Sequence, residues 1–269
     1  MNKKNLTLMN EFNLAVANSV QDKKGLVNIG NYKFYYSKEY GANIKEFLKD
    51  VDSKESGKES LRSASSSARL CTNYYYGSGV VFEKPIHNDV SSTPTKMDAV
   101  NDMTFIECKC QEIVEGEHEL LRKSYQLKKS SKLFKEFNIT NLKIKHHFNS
   151  KNVNDYDYCD FFLKDLGIDY PGKYYDINFN VKQLICHLIA IANEFEDATP
   201  KTLKYVIFRP SDSIISQSIR LGQLYKELDN QFAAICASEK IKSFISSEHH
   251  NITIEMEYVP VDKISEHFN

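Results

Sequence analysis

The hydrophobic positions of the chain switch between two periods. Helical spacing runs over Leu8–Val20, Asn43–Val51, Ser60–Tyr76, Glu115–Phe137 and Val181–Phe195, and over Ser213–Ile245 as one long helix or two. Short apolar or alternating runs predict strands at Val80–Lys84 (closed by Pro85), Lys96–Val100, Phe105–Ile113, Leu203–Phe208 and Asn251–Val259. Leu26–Tyr36 reads as a hairpin turning at Gly30-Asn31, and Asn101-Asp102-Met103-Thr104 as a tight turn joining the second and third of the five strands. Polar residues 52–60 and 86–95 read as connections. Three early strands in a meander, followed by strands that arrive through helices, predict an α/β fold with a mixed central sheet flanked by helices. The expected organisation is an extension over residues 1–55 packed on one domain, 56–269, which carries an insertion at about 114–178 with a Pro171-Gly172 turn.

Composition narrows the class. Of 269 residues, 41% are hydrophobic, enough for a real core. The net charge of −1 gives no global attraction to nucleic acid, so such binding must come from a local basic patch. No stretch approaches the roughly 20 apolar residues of a membrane span, and the first residues lack the apolar core of a signal peptide. The expectation is a cytoplasmic protein, with its six cysteines reduced. Cys108-x-Cys110 reads as core. The His146-His147 and His249-His250 pairs have no cysteines at zinc spacing.

One strand breaks its own apolar pattern. Glu107 and Lys109 lie two apart in Phe105-Ile106-Glu107-Cys108-Lys109-Cys110-Gln111, so they share a face. This is the sole Glu-x-Lys in the chain, and charges inside a sheet cost several kcal/mol unless paired or ligated. Asp98 lies across the predicted hairpin. Two carboxylates on adjacent strands suit Mg²⁺, which takes one or two of them with waters and substrate phosphates. Gln111 continues the Glu107 face by one step. The bland alternative is a surface ion pair worth at most about 1 kcal/mol.

Asp98 followed by Glu107-x-Lys109 on a hairpin after a helix resembles the PD-(D/E)XK, or restriction-endonuclease-like, nuclease superfamily. Residues 65–73 (Ser-Ser-Ser-Ala-Arg-Leu-Cys-Thr-Asn) resemble the serine-containing first helix of a group of its members. Phe82-Glu83-Lys84 resembles their first strand, and the helix with Gln183 followed by Leu203–Phe208 resembles the closing helix and strand. The likeness covers roughly residues 58–113 and 180–210. Thr95-Lys96-Met97 precedes Asp98 where the motif has its leading proline.

The resemblance implies a restriction-endonuclease-like fold and Mg²⁺-dependent hydrolysis of nucleic acid, DNA in the first place, with Mn²⁺ as a substitute. It implies that Asp98 and Glu107 ligate the metal, helped by the Cys108 carbonyl, while Lys109 orients or activates the attacking water. Glu83, Gln111 or Gln183 completes the site. A non-cleaving nucleic-acid-binding or protein-interaction module on the same fold is the alternative.

Arg69 is a candidate phosphate contact, and Gln183 a candidate nucleic-acid contact near the metal. His187, four residues on, shares its face and reads first as a core histidine. Lys128, Lys129 and Lys132, with Lys135, Lys143 and Lys145 and interleaved aromatics, either track a nucleic-acid backbone or form a solvated helix face. Tyr156, Tyr158, Tyr170, Tyr174 and Tyr175 either stack on bases or fill a small core. The expected partners are nucleic acid and a second copy of the chain.

Overall fold

In the computed structural model of the chain the described residues are 3–19, 26–28, 34–36, 63–75, 78–87, 94–115, 120–121, 135, 137–139, 142–148, 155–195 and 197–260. In chain order they form helix α1 (Lys3–Ser19), strands β1 (Leu26–Asn28) and β2 (Phe34–Tyr36), and helix α2 (Ser67–Tyr75). The meander follows as β3 (Val81–Ile86), β4 (Thr95–Asn101) and β5 (Thr104–Lys109), ending in one helical turn, α3 (Glu112–Glu115). A ribbon of β6 (Lys143–His147) and β7 (Tyr156–Asp160) leads to α4 (Val181–Glu194) and β8 (Lys201–Phe208). The chain then runs through α5 (Asp212–Ile215), α6 (Ile219–Ala237), α7 (Glu239–Ile245), β9 (Ser246–Ser247) and β10 (His250–Val259).

The central sheet has six strands in the order β3-β4-β5-β8-β10-β9. β3, β4 and β5 are antiparallel neighbours; β8 is parallel to β5, and β10 to β8. The fold is therefore mixed α/β, as the order of periods predicts. Pro85 does not close β3, which continues to Ile86. β3 lies at the sheet edge, where a residue without an N–H costs no ladder bond. The last helical stretch divides into three helices. Ser218 and Ser238 cap α6 and α7 by accepting from the N–H groups of Leu221 and Ile241.

Helices cover both faces of the sheet. One core unites Phe105, Leu203 and Tyr205 of the sheet with Leu184, Ile185 and Leu188 of α4. Phe161, Leu163, Leu166, Tyr174 and Phe179, from the stretch before α4, belong to the same core. On the other face Ile106, Cys108, Val206 and Phe208 meet Phe12 and Val16 of α1, Leu70 and Cys71 of α2, and Leu224 and Leu228 of α6. The rings of Phe12 and Phe208 meet edge to face at 5.6 Å. Cys108 and Cys110 are core residues, both fully buried. No helix among the described residues is long and apolar enough to cross a membrane.

Candidate active site

The two ladders flanking β4 both break at Asp98. The β4–β5 register runs Asn101↔Thr104, Val100↔Phe105, Ala99↔Ile106 and stops, one step before Asp98 would face Glu107. On the other side Phe82 pairs with Ala99 and Lys84 with Met97, and Glu83 between them makes no pair. Glu83 has φ of 51°, a left-handed backbone that costs a non-glycine residue energy and turns it out of the ladder. Asp98 thus sits in a gap between strands, with a carboxylate on either side. In place of a backbone acceptor, the Cys108 N–H donates to Asp98 Oδ2 at 2.7 Å. N–H and C=O of a strand residue point to the same edge, so the Cys108 carbonyl also faces this gap.

Glu107 is almost fully buried and its two oxygens are treated differently. Oε1 accepts from Lys109 Nζ at 2.6 Å and from Gln183 Nε2 at 2.7 Å. Oε2 has His187 Nε2 at 3.9 Å and no hydrogen-bond partner. The helical spacing of Gln183 and His187 puts both on the side of α4 that faces Glu107. Asn180 fixes the start of that helix by accepting from the Gln183 N–H. Behind Glu107, in register on β8, stands buried Tyr205, whose hydroxyl also has no hydrogen-bond partner.

Charge in the gap is unbalanced toward the acids. Burial, and after it the Glu107 carboxylate, push Asp98 well above the ordinary aspartate range. Burial works against the Lys109 ammonium, but Glu107, Asp98 and Glu112 outweigh it and hold its pKa above the ordinary lysine value. Lys109 is therefore a cation. It can orient a water or stabilise negative charge, but it is not a proton acceptor in this state. Burial lowers His187 to about 4, so its ring is neutral at pH 7.

The donor set suits a hard cation. Two acids leave one buried oxygen without a hydrogen, and the Cys108 carbonyl faces them. Mg²⁺ asks for no more from a protein, because waters and phosphate oxygens fill its other positions. No group of three or more His, Cys, Asp or Glu placed to hold a metal ion occurs among the described residues, so any ion here would rest on fewer side chains of these types.

Several expected site residues lie elsewhere. Gln111 does not continue the Glu107 face. β5 ends at Lys109 because the Cys110 N–H turns to the Glu112 carboxylate, and Gln111 instead accepts from Ser65 Oγ at 3.0 Å. Arg69, 2% exposed, is held in the interior on the α2 side of the sheet, away from any surface a phosphate can reach. Gln183 acts on Glu107. Glu83 pairs with the exposed Lys96 at 3.4 Å, across the gap from Asp98. Lys128, Lys129 and Lys132 lie outside the described residues. Tyr205 was not legible as a site residue, since an apolar strand gives no sign of which residue will face Glu107. Compared with protein-family models, with curated proteins and with solved structures, the chain finds no match.

Proposed function

We propose that the chain is a Mg²⁺-dependent nuclease of the PD-(D/E)XK type on a restriction-endonuclease-like fold, hydrolysing phosphodiester bonds of nucleic acid, DNA in the first place. The observation that carries the reading is the Asp98 gap. Two carboxylates and one lysine converge on it from two strands, and a buried carboxylate oxygen there lacks a hydrogen-bond donor.

Asp98, Glu107 and the Cys108 carbonyl would hold the ion. A bound Mg²⁺, or Mn²⁺ in its place, neutralises phosphate charge and lowers the pKa of a water. Lys109, kept protonated by Glu107, orients the attacking water or the phosphate oxygens in line with the leaving group. Gln183 fixes the Glu107 rotamer, so that Oε1 serves Lys109 and Oε2 remains for the ion. Glu83 adds negative potential from the neighbouring strand.

The test is cleavage of single- and double-stranded DNA with Mg²⁺ or Mn²⁺. Asp98→Ala and Lys109→Ala are each expected to lower the rate at least about 10²-fold, the usual effect of losing a transition-state stabilising group. Equal rates in variants and wild type sink the proposal. Calorimetry separates the non-cleaving alternative. Mg²⁺ heat that vanishes in Glu107→Gln supports the enzyme, whereas no Mg²⁺ heat with retained DNA binding supports the module.

A further inference from the structure

The β6–β7 ribbon carries a second cluster of charge and rings that the Asp98 gap does not use. Its register pairs Lys143 with Asp160, Lys145 with Tyr158, and His147 with Tyr156, so these six side chains share one face. The rings form a ladder. His147 lies 5.0 Å from Tyr156 and 6.2 Å from Tyr158, Tyr158 lies 6.4 Å from Tyr175, and Tyr175 lies 4.9 Å from Tyr174. The ladder ends in the core, where Tyr174 stacks on Phe161 at 4.5 Å. Tyr174 and Phe161 are buried; His147, Tyr156, Tyr158 and Tyr175 are half-exposed. A two-stranded ribbon is marginal alone. Here the core fixes its rings, so a ligand that stacks on them meets a preorganised surface.

The ammonium groups lie on the same side. Asp160, 3% exposed, accepts from Lys145 Nζ at 2.9 Å and from Lys173 Nζ at 3.1 Å. Lys173 also donates to the Tyr175 hydroxyl at 3.1 Å, which sets its ammonium beside the ladder. Lys143 is exposed at the same end. Three lysines against Asp160, and Asp176 beside Lys173, leave this face positive. The acids Asp155 and Asp157 lie on the opposite face, with His146. Half-exposed rings in series beside a fixed row of ammonium groups match a polymer that alternates flat apolar bases with phosphates.

We propose that this face binds single-stranded nucleic acid, bases stacking on Tyr156, His147 and Tyr158 while Lys143, Lys145 and Lys173 meet phosphates. The polymer's identity rests on the nuclease reading. The preference for single strands does not, since a duplex keeps its base faces stacked and offers this surface phosphates alone.

The test is fluorescence anisotropy of a labelled oligothymidine and of a blunt duplex with the whole chain in EDTA. Wild type is expected to bind the single strand at least about tenfold tighter than the duplex, and Tyr156→Ala and Tyr158→Ala to weaken it about tenfold each. Lys143→Gln, at an exposed position, is expected to weaken binding and flatten its salt dependence. Unchanged affinity in all three variants overturns the proposal. So does equal affinity for duplex, or a poly-glutamate peptide competing as well as the oligonucleotide. Asp98→Ala is expected to bind as wild type does. If it also cleaves as wild type does, the nuclease reading falls and the ribbon stands on its own affinity. If the ribbon variants bind normally while cleavage depends on Asp98, the ribbon inference alone fails.

Discussion

Glu107 and Asp160 are both 3% exposed, both bonded to lysine, and both left with one oxygen without a hydrogen-bond partner. They differ in what surrounds them. Glu107 shares one ammonium, Lys109, with a second carboxylate across the strand gap. Asp160 is bonded to two ammonium groups, Lys145 and Lys173, the second of which also lies near Asp176. The first cluster has acid to spare, which a cation would offset, whereas the second has base to spare, which an anion would offset. Under the two proposals these carboxylate–lysine clusters would take opposite ligands, and the deciding quantity would be the ratio of partners.

The largest stability effect should fall on the basic cluster. Asp160→Asn leaves Lys145 and Lys173 facing each other and is expected to destabilise the protein by about 2 kcal/mol. Urea unfolding reads this as a lower midpoint with an unchanged slope; an unchanged midpoint would mean that Asp160 does not hold the two lysines together.

Asp98→Asn should act in the other direction. Asp98 in the folded state keeps its proton above the ordinary 3.8, so from that pH upward the folded chain binds more protons than the unfolded one. Its contribution to stability therefore falls as pH rises toward the folded pKa. The asparagine can still accept from the Cys108 N–H, and at pH 7 in EDTA its melting temperature is expected to be a few degrees higher, with cleavage lost. A lower melting temperature would show that the gap is not overloaded with negative charge.

His187 gives a smaller effect of opposite slope. Its pKa is lowered to about 4 from 6.5, so between those values the unfolded chain binds the extra proton. Stability is lost as pH falls through that window. His187→Gln is expected to flatten the acid side of a melting-temperature profile between about pH 6.5 and 4, and a curve parallel to wild type counts against burial of a neutral ring. The smallest effect belongs to Lys96→Ala. Its side chain is 58% exposed, and its pair with Glu83 should contribute no more than about 0.5 kcal/mol by urea unfolding.

Much of the acidic site was legible because it depends on the two simplest periods. Alternation put Glu107 and Lys109 on one face, the hairpin turn brought Asp98 opposite, and a spacing of four joined Gln183 to His187. What was not legible depends on where a ladder stops. Gln111 keeps the alternation but leaves the strand, because Glu112 captures the Cys110 N–H and Ser65 takes the glutamine. Arg69 belongs to the helix expected to precede the site, yet it packs on the face of the sheet opposite Glu107. Its burial follows from which face of α2 packs inward. The Asp160 cluster needs Lys173, which comes from a turn beyond the ribbon, and no periodicity connects the two.

The Cys108 amide donates to the Asp98 carboxylate. The neighbouring backbone amides of β5 hold partners set by the sheet itself, whereas this one depends on the position of a single ionisable side chain. Any event that moves or recharges Asp98 is therefore recorded on one N–H group. The nuclear magnetic resonance of that proton, or its rate of exchange with deuterium, is a local meter for the gap, built into the chain.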